Sequence, residues 1–77
     1  LEYRIGRGKT CQIPLGDPLS SREHAAVFLD NRQWHVRDLE SRNGTFLGPQ
    51  KIDDAVLVNG SIIRIGSTEL HFTLLQD

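Results

Sequence analysis

Three short polar clusters contain the residue types that could do chemistry. Gly6-Arg7 lies near the start of the chain, residues 21–24 include Ser21 and Arg22, and residues 41–45 include Arg42 and Asn43. Arginine forks, hydroxyl groups and an amide are together suited to binding a phosphate and a neighbouring peptide backbone. Solvated arginines that only cap loop carbonyls would leave the same pattern. The residue types alone therefore leave both interpretations open.

The same residues are a poor match to a hydrolytic triad. Ser21, His24 and Asp38 are the right types, but residues three apart on an extended chain point to opposite faces. The sequence also lacks the Gly-x-Ser-x-Gly turn that exposes a nucleophilic serine. We therefore predict no enzymatic activity and no catalytic residue.

The potential metal ligands follow no compact spacing. They are Cys11, His24, His35 and His71. Structural zinc sites place their ligands in short paired motifs, which these positions do not form. We therefore predict no metal and no cofactor.

Length and charge narrow the class of protein. A chain of 77 residues supports one small domain, which we assign to residues 1–77. The net charge is −1, so no overall field favours nucleic acid or an acidic membrane. The lone Cys11 cannot form an internal disulfide, which fits a reducing compartment. We expect a monomer in the cytoplasm, or in the nucleus if the source is eukaryotic.

The polar clusters need a scaffold, and the apolar pattern predicts one made of β-strands. Residues 25–29 and 33–39 flank Asp30-Asn31 and predict a hairpin in which Trp34 faces the core. Residues 62–65 and 69–75 flank Gly66-Ser67 and predict a second, two-residue hairpin.

Turn residues fill most of the remaining sequence. Gly48-Pro49 and Asn59-Gly60 separate short apolar pieces, while residues 13–22 and 41–44 are predicted loops. Many short strands at this spacing, with no helix of useful length, indicate a small all-β domain. The pattern alone does not separate a sandwich from a barrel.

The ordered polar clusters resemble the forkhead-associated (FHA) domain family. The matching stretches are Ile5-Gly6-Arg7, residues 17–25 and residues 38–46. They contain Gly-Arg, Ser-x-x-His and Asn-Gly in the family's order and cover about half of the chain. The resemblance implies an antiparallel β-sandwich of two sheets, with loops at one end that bind phosphothreonine peptides.

The resemblance also implies roles for the residues at the ligand. Arg7 and Ser21 would contact the phosphate, and Arg22 would add a second cation. Asn43 would hydrogen-bond the ligand backbone beside the phosphothreonine. Arg42 would reach the phosphate or a neighbouring acidic side chain.

Four further residues would support this site. Gly6 and Gly44 would supply backbone conformations that a side chain obstructs. His24 would be a buried strut that holds the Ser21 loop, and Thr45 would tie loops together with Asp38.

This chain departs from the family pattern in three places. Leu1 to Ile5 resembles the second strand, so the usual first strand is absent and a sheet edge is expected to be unpaired. Leu47-Gly48-Pro49 stands where a second Asn-Gly is common. Leu19 offers no charge to a ligand, so selectivity for acidic residues would come from Arg42 or Lys9.

The function implied is a phosphopeptide-recognition module for kinase signalling or assembly. Its partner would be a phosphothreonine-containing protein, either a kinase substrate or a phosphorylated kinase, with phosphothreonine preferred over phosphoserine. The alternative is a phosphate-independent docking or dimerisation module on the same fold. The presence of Arg7, Ser21 and Asn43 together argues against that alternative.

Overall fold

The computed structural model describes residues 1–75 and contains nine β-strands and no helix in that part of the chain. The strands are β1 Glu2–Gly6, β2 Ile13–Pro14, β3 Ala25–Asp30, β4 Gln33–Asp38, β5 Thr45–Leu47, β6 Gln50–Ile52, β7 Asp54–Leu57, β8 Ile62–Ile65 and β9 Thr68–His71. One sheet has the order β2-β1-β3-β4-β7 and the other the order β6-β5-β8-β9. The predicted all-β sandwich of two mainly antiparallel sheets is confirmed. Nowhere in residues 1–75 is there a helix long and apolar enough to cross a membrane.

The first predicted hairpin is present, with its turn one residue later than expected. Asp30 still pairs with Gln33, so the turn is Asn31-Arg32 rather than Asp30-Asn31. Both turn residues have positive φ, 53° for Asn31 and 66° for Arg32. This is the conformation of a type I′ turn, whose twist matches the twist of the flanking strands.

The second predicted hairpin forms around Gly66-Ser67, where Ile65 pairs with Thr68. The strand after the turn is shorter than predicted and ends at His71. After His71 the chain is held by individual hydrogen bonds and not by a continuous strand pairing. The N–H of Phe72 donates to the Ser61 carbonyl at 2.8 Å.

The remaining turns follow the sequence closely, with one correction. Gly48-Pro49 joins β5 to β6, and Asn59-Gly60 carries the chain from β7 in the first sheet to β8 in the second. The prediction that residues 13–22 are entirely loop is wrong at its start, because Ile13-Pro14 forms β2 and pairs in parallel with the end of β1. Pro14 fits there because β2 is an edge strand, where a missing N–H breaks no internal ladder.

The hydrophobic core lies between the two sheets. Ile5 and Val36 from the first sheet meet Ile63 and Ile65 from the second, and all four are buried. Trp34 faces inward as predicted, with its ring centroid 6.2 Å from that of Phe72. This core fixes the strand ends from which the loops of the polar clusters emerge.

One side of the sandwich has open strand edges among the described residues. β9 is an edge strand, and Glu2 to Arg4 of β1 have no strand partner on the β2 side. The Gln12 side chain accepts a hydrogen bond from the Arg4 N–H at 2.8 Å. Glu2 and Arg4 are charged, and charged side chains along a strand edge disfavour its pairing with another chain.

Candidate functional site

The three polar clusters lie in loops at one end of the sandwich. Residues 7–12 follow β1, residues 15–24 precede β3, and residues 39–44 join β4 to β5. A network of hydrogen bonds connects the three loops. The candidate site is therefore a single surface built from distant parts of the sequence.

Gly6 allows the Arg7 loop to lie directly on the Ser21 loop. A Cβ atom on Gly6 would stand 2.2 Å from the Arg22 carbonyl oxygen, so a side chain cannot be accommodated without a backbone shift. The Arg7 N–H donates to the Ser21 carbonyl at 3.0 Å, and the Arg7 Nε–H donates to the Ser20 carbonyl at 2.5 Å. These two bonds fix the exposed Arg7 side chain at its base and leave its terminal NH₂ groups available to a ligand.

His24 links the second loop to the third. The side chain is fully buried, and its Nδ1 accepts a hydrogen bond from the Ser21 N–H at 2.9 Å. Because Nδ1 is an acceptor, the proton lies on Nε2, which donates to the Gly44 carbonyl at 2.8 Å. The ring is therefore a neutral bridge between the two loops.

The Ser21 hydroxyl is positioned by the third loop. Its oxygen accepts a hydrogen bond from the Arg42 N–H at 3.0 Å. A hydroxyl that accepts one bond still has its own proton to donate, so Ser21 retains a donor for an anion. The Arg42 side chain is exposed, which leaves its guanidinium accessible.

Asn43 also contacts the second loop. Its Nδ2 donates to the Leu19 carbonyl at 2.8 Å, which leaves the amide oxygen and one N–H available. The neighbouring Gly44 has φ of +88°, and a Cβ atom there would lie 2.9 Å from Cε of Lys51. Gly44 thus gives the loop a left-handed turn directly after Asn43.

Asp38 anchors the third loop from within. Its carboxylate accepts hydrogen bonds from the Ser41 hydroxyl at 2.5 Å and from the buried Thr45 hydroxyl at 2.7 Å. Partial burial by itself would raise the pKa of Asp38. The hydrogen bonds from Ser41 and Thr45 outweigh it, so the pKa of Asp38 lies below its usual value.

Asp17 is a site-supporting residue to which sequence reasoning assigned no role. Its carboxylate accepts hydrogen bonds from the Leu19 N–H at 2.9 Å, the Ser67 N–H at 2.7 Å and the Thr68 hydroxyl at 2.8 Å. These bonds, the one from Leu19 most of all, lower the pKa of Asp17. The residue ties the second loop to the β8–β9 turn, across 50 residues of sequence. The Asp-Pro step marks a turn, but no local signal reveals the distant partner.

The contacts of Ser21, His24 and Asp38 are those of a scaffold. Both ring nitrogens of His24 bond to backbone groups, and the Ser21 hydroxyl bonds to the Arg42 backbone. A serine nucleophile needs a hydrogen bond from its hydroxyl to the base. Among residues 1–75 no group of three or more potential ligands is placed to hold a metal ion.

The three loops contain four basic residues and three acidic ones, Asp17, Glu23 and Glu40. Arg7, Arg22, Arg42 and Lys9 all lie in or beside the three loops and are exposed. The Glu23 carboxylate pairs with Arg4 and the Asp17 carboxylate accepts three hydrogen bonds, so basic side chains predominate among the charges left for a ligand. The surface therefore favours an anionic ligand, although the whole chain has a net charge of −1.

Comparison with known proteins places this arrangement in a family. The model of the FHA domain matches residues 3–66. The chain belongs to the FHA domain family. An FHA domain is a recognition module and not a catalytic fold.

Individual relatives agree with the family match. The chain is 40% identical over 67 residues to the glycogen accumulation regulator GarA of Mycobacterium tuberculosis, covering 87% of this chain and 41% of GarA. The chain thus spans about two fifths of the length of this relative. The match lies in the FHA region, so it does not carry over the activity of the whole relative.

Solved structures share the fold closely. One, from a structural and functional study of phosphothreonine-dependent FHA domain interactions, superposes with a TM-score of 0.92 at 31% identity, covering 97% of this chain and 78% of that one. Another is Mycobacterium tuberculosis EmbR in complex with a low-affinity phosphopeptide, with a TM-score of 0.89 at 32% identity, covering 94% of this chain and 19% of EmbR.

Proposed function

We propose that this FHA domain binds phosphothreonine in partner proteins through Arg7, Ser21 and Asn43, with Arg22 and Arg42 as further contacts. The observation that carries the proposal is that one hydrogen-bonded loop network brings a guanidinium, a hydroxyl and an amide to one exposed surface. A phosphothreonine has a charge of about −1.5 to −2 and three strong acceptor oxygens, which match these donors.

The strength of binding follows from the number of contacts. Charge-assisted hydrogen bonds contribute roughly 1.5–3 kcal/mol each, and association costs several kcal/mol of lost freedom. Three or four such bonds, together with hydrogen bonds from Asn43 to the ligand backbone, support micromolar affinity. This corresponds to a binding free energy of about −8 kcal/mol. That affinity suits reversible recruitment of a phosphorylated kinase substrate or kinase to whatever else the full protein contains.

The test is a fluorescence-anisotropy titration with three matched peptide pools. Their central residue is phosphothreonine, phosphoserine or unmodified threonine, and the flanking positions are degenerate. We expect micromolar binding to the phosphothreonine pool, weaker binding to phosphoserine and none to threonine. Equal binding to all three pools would instead support the phosphate-independent docking module.

Replacement of Arg7 by alanine tests the site assignment. The Arg7→Ala variant should lose phosphothreonine binding by at least about tenfold, because a charge-assisted bond of roughly 1.5–3 kcal/mol is removed. Its thermal unfolding should stay close to that of the parent, since the exposed Arg7 side chain makes one hydrogen bond to the described chain. A variant that binds as well as the parent would refute the assignment.

His24→Ala is the contrasting variant. The side chain is fully buried and holds both the Ser21 N–H and the Gly44 carbonyl. Its loss should lower the free energy of unfolding by about 2–5 kcal/mol and reduce affinity only through the loops. Together the two variants separate ligand contact from loop support.

A further inference from the structure

Beside Arg7 lies a cleft that the proposed contacts to one phosphate do not fill. Its volume is about 540 Å³, within the range of about 300–1,000 Å³ typical of ligand pockets. We call it the cationic cleft, and it is lined by Arg7, Gly8, Lys9, Thr10, Arg22 and Glu23. One water occupies about 30 Å³ of liquid, so a single phosphate takes up a small part of this space.

The cleft lies at the opposite end of the site from Asn43. Along the second loop, the Leu19 carbonyl contacts Asn43, the Ser20 and Ser21 carbonyls contact Arg7, and the Arg22 carbonyl contacts Gly8. Arg7 therefore lies between the amide of Asn43 and the cleft. A ligand held at Arg7 can extend toward either end.

The walls of the cleft are held in place before any ligand arrives. The Gly8 N–H donates to the Arg22 carbonyl at 3.0 Å, and the Cys11 thiol donates to the same oxygen at 3.2 Å. The Cys11 N–H in turn donates to the Gly8 carbonyl at 3.2 Å. Little ordering of the backbone remains to oppose binding, which favours a specific subsite.

The charges of the cleft favour an anion. Arg7, Lys9 and Arg22 contribute three cationic groups, and none of them forms an ion pair with an acidic side chain of residues 1–75. The single acid, Glu23, is already paired with Arg4. An incoming anion would relieve the mutual repulsion of the three cations.

We propose that the cationic cleft binds a second anionic group of the phosphothreonine ligand, with Lys9 as the residue that determines this specificity. The group is a carboxylate or a second phosphate, since both present oxygens to an ammonium and a hydroxyl. Lys9 supplies the charge and Thr10 a hydroxyl, while Arg7 remains at the phosphothreonine. This inference rests on the proposed phosphothreonine function.

The experiment compares peptides that differ at one position. The reference is a fluorescein-labelled phosphothreonine peptide with alanine at every flanking site. In the test set, a single aspartate is moved through each flanking position on both sides. We expect one position to raise affinity about two- to fivefold, the gain typical of partly exposed ion pairs. A phosphorylated residue at that same position should raise it further, and the difference identifies which anion the cleft prefers.

Three charge-neutralising variants locate the effect. Lys9→Gln should abolish the gain from aspartate, measured as the ratio of its affinity to that of the all-alanine peptide in the same variant. Arg32→Gln changes the net charge equally at the far end of β3 and should keep the gain. Arg42→Gln removes the other cation suited to an acidic side chain and should also keep the gain, although reference affinity will fall.

The outcomes distinguish failure of the proposed phosphothreonine function from failure of the cleft assignment. If the all-alanine phosphothreonine peptide fails to bind the parent, the proposed function fails. If it binds but no aspartate position improves affinity, or if the gain survives in Lys9→Gln, the cleft assignment is wrong. Loss of the gain in Arg42→Gln with retention in Lys9→Gln would place the subsite at Arg42 instead.

Discussion

At the scale of single residues, the backbone of the Ser21 loop determines what its neighbours can be. Gly6 is required because the Arg22 carbonyl occupies the place of its Cβ atom. His24 is required because its two ring nitrogens match one N–H and one carbonyl. Neither residue needs to touch a ligand. Both hold donors that would contact it, so their substitution affects binding indirectly.

Gly6→Ala tests the close approach. The added methyl group would stand 2.2 Å from the Arg22 oxygen, so the two backbones must separate. We expect the free energy of unfolding to fall by about 1–3 kcal/mol, as for other overpacking changes, and phosphopeptide affinity to fall with it. Urea denaturation followed by tryptophan fluorescence measures the first quantity.

Gly16→Ala is the matched control. A Cβ atom at Gly16 would meet nothing within 4 Å. Its stability should differ from that of the parent by less than about 1 kcal/mol. If the two alanine variants were equally stable, the contact with Arg22 would not be what requires glycine at position 6.

At the scale of elements, two aspartate carboxylates hold loops in place, and a tight turn connects β3 to β4. Asp38 fixes the loop between β4 and β5, and Asp17 fixes the loop before β3 to the β8–β9 turn. The β3–β4 turn places Arg32 at φ of 66°, which costs a residue with a side chain more than glycine. Asp38 and the β3–β4 turn each lead to a separate prediction about stability.

Asp38 should make the domain sensitive to acid. Its pKa is lowered in the folded state, so it binds protons less readily folded than unfolded. Its contribution to stability is therefore complete above the unfolded pKa of about 3.9 and is lost as pH falls through the lower folded value. Urea titrations from pH 6 to pH 2 should show a steeper loss for the parent than for Asp38→Asn. Parallel curves would contradict this role.

Arg32→Gly should stabilise the β3–β4 hairpin. The change creates Asn-Gly, the preferred pair for a type I′ turn, and removes the cost of positive φ at this position. We expect a gain of about 0.5–1 kcal/mol in the free energy of unfolding, measured by urea denaturation. Arg32→Ala removes the same side chain without relieving the backbone, so a similar gain there would point to the side chain instead.

The strands could be predicted from the sequence more fully than the long-range hydrogen bonds that connect the loops. Apolar runs on either side of a turn predicted both hairpins, with Asp30-Asn31 between the first pair of strands and Gly66-Ser67 between the second. These signals are local in the sequence. β2 was missed because two residues show no periodicity, and Ile13-Pro14 is a strand only through its pairing with β1. The resemblance supplied Arg7, Ser21 and Asn43 as candidates. The hydrogen bonds of Asp17 to the β8–β9 turn, which we call the Asp17 clamp, could not be predicted because that turn lies 50 residues away.

At the scale of the whole molecule, charge is unevenly distributed. The chain is slightly acidic overall, with a net charge of −1, while its loop end displays Arg7, Lys9, Arg22 and Arg42. A local cationic surface attracts an anionic peptide over distances comparable to the Debye length. The net charge does not reveal this surface, because it does not show which acids already have partners, as Glu23 and Asp17 do.

Phosphopeptide association should therefore depend on salt. Raising ionic strength from 0.1 M to 1 M shortens the Debye length from about 10 Å to about 3 Å, which weakens long-range attraction. Stopped-flow measurements should show an association rate that falls with salt, more steeply for the parent than for Lys9→Gln. A rate that is independent of salt would show that the cationic end does not guide encounter.

The clamp formed by Asp17 also affects when the site can exist. The loop that carries Ser21 is synthesised before its anchor at Ser67 and Thr68, because Asp17 and Ser67 are 50 residues apart. Domains form as units while the N-terminal part leaves the ribosome first. A nascent chain that has not yet released the β8–β9 hairpin lacks this anchor, so the loop that carries Ser21 is not fully held. We therefore expect phosphopeptide binding to be acquired only once the β8–β9 hairpin has formed.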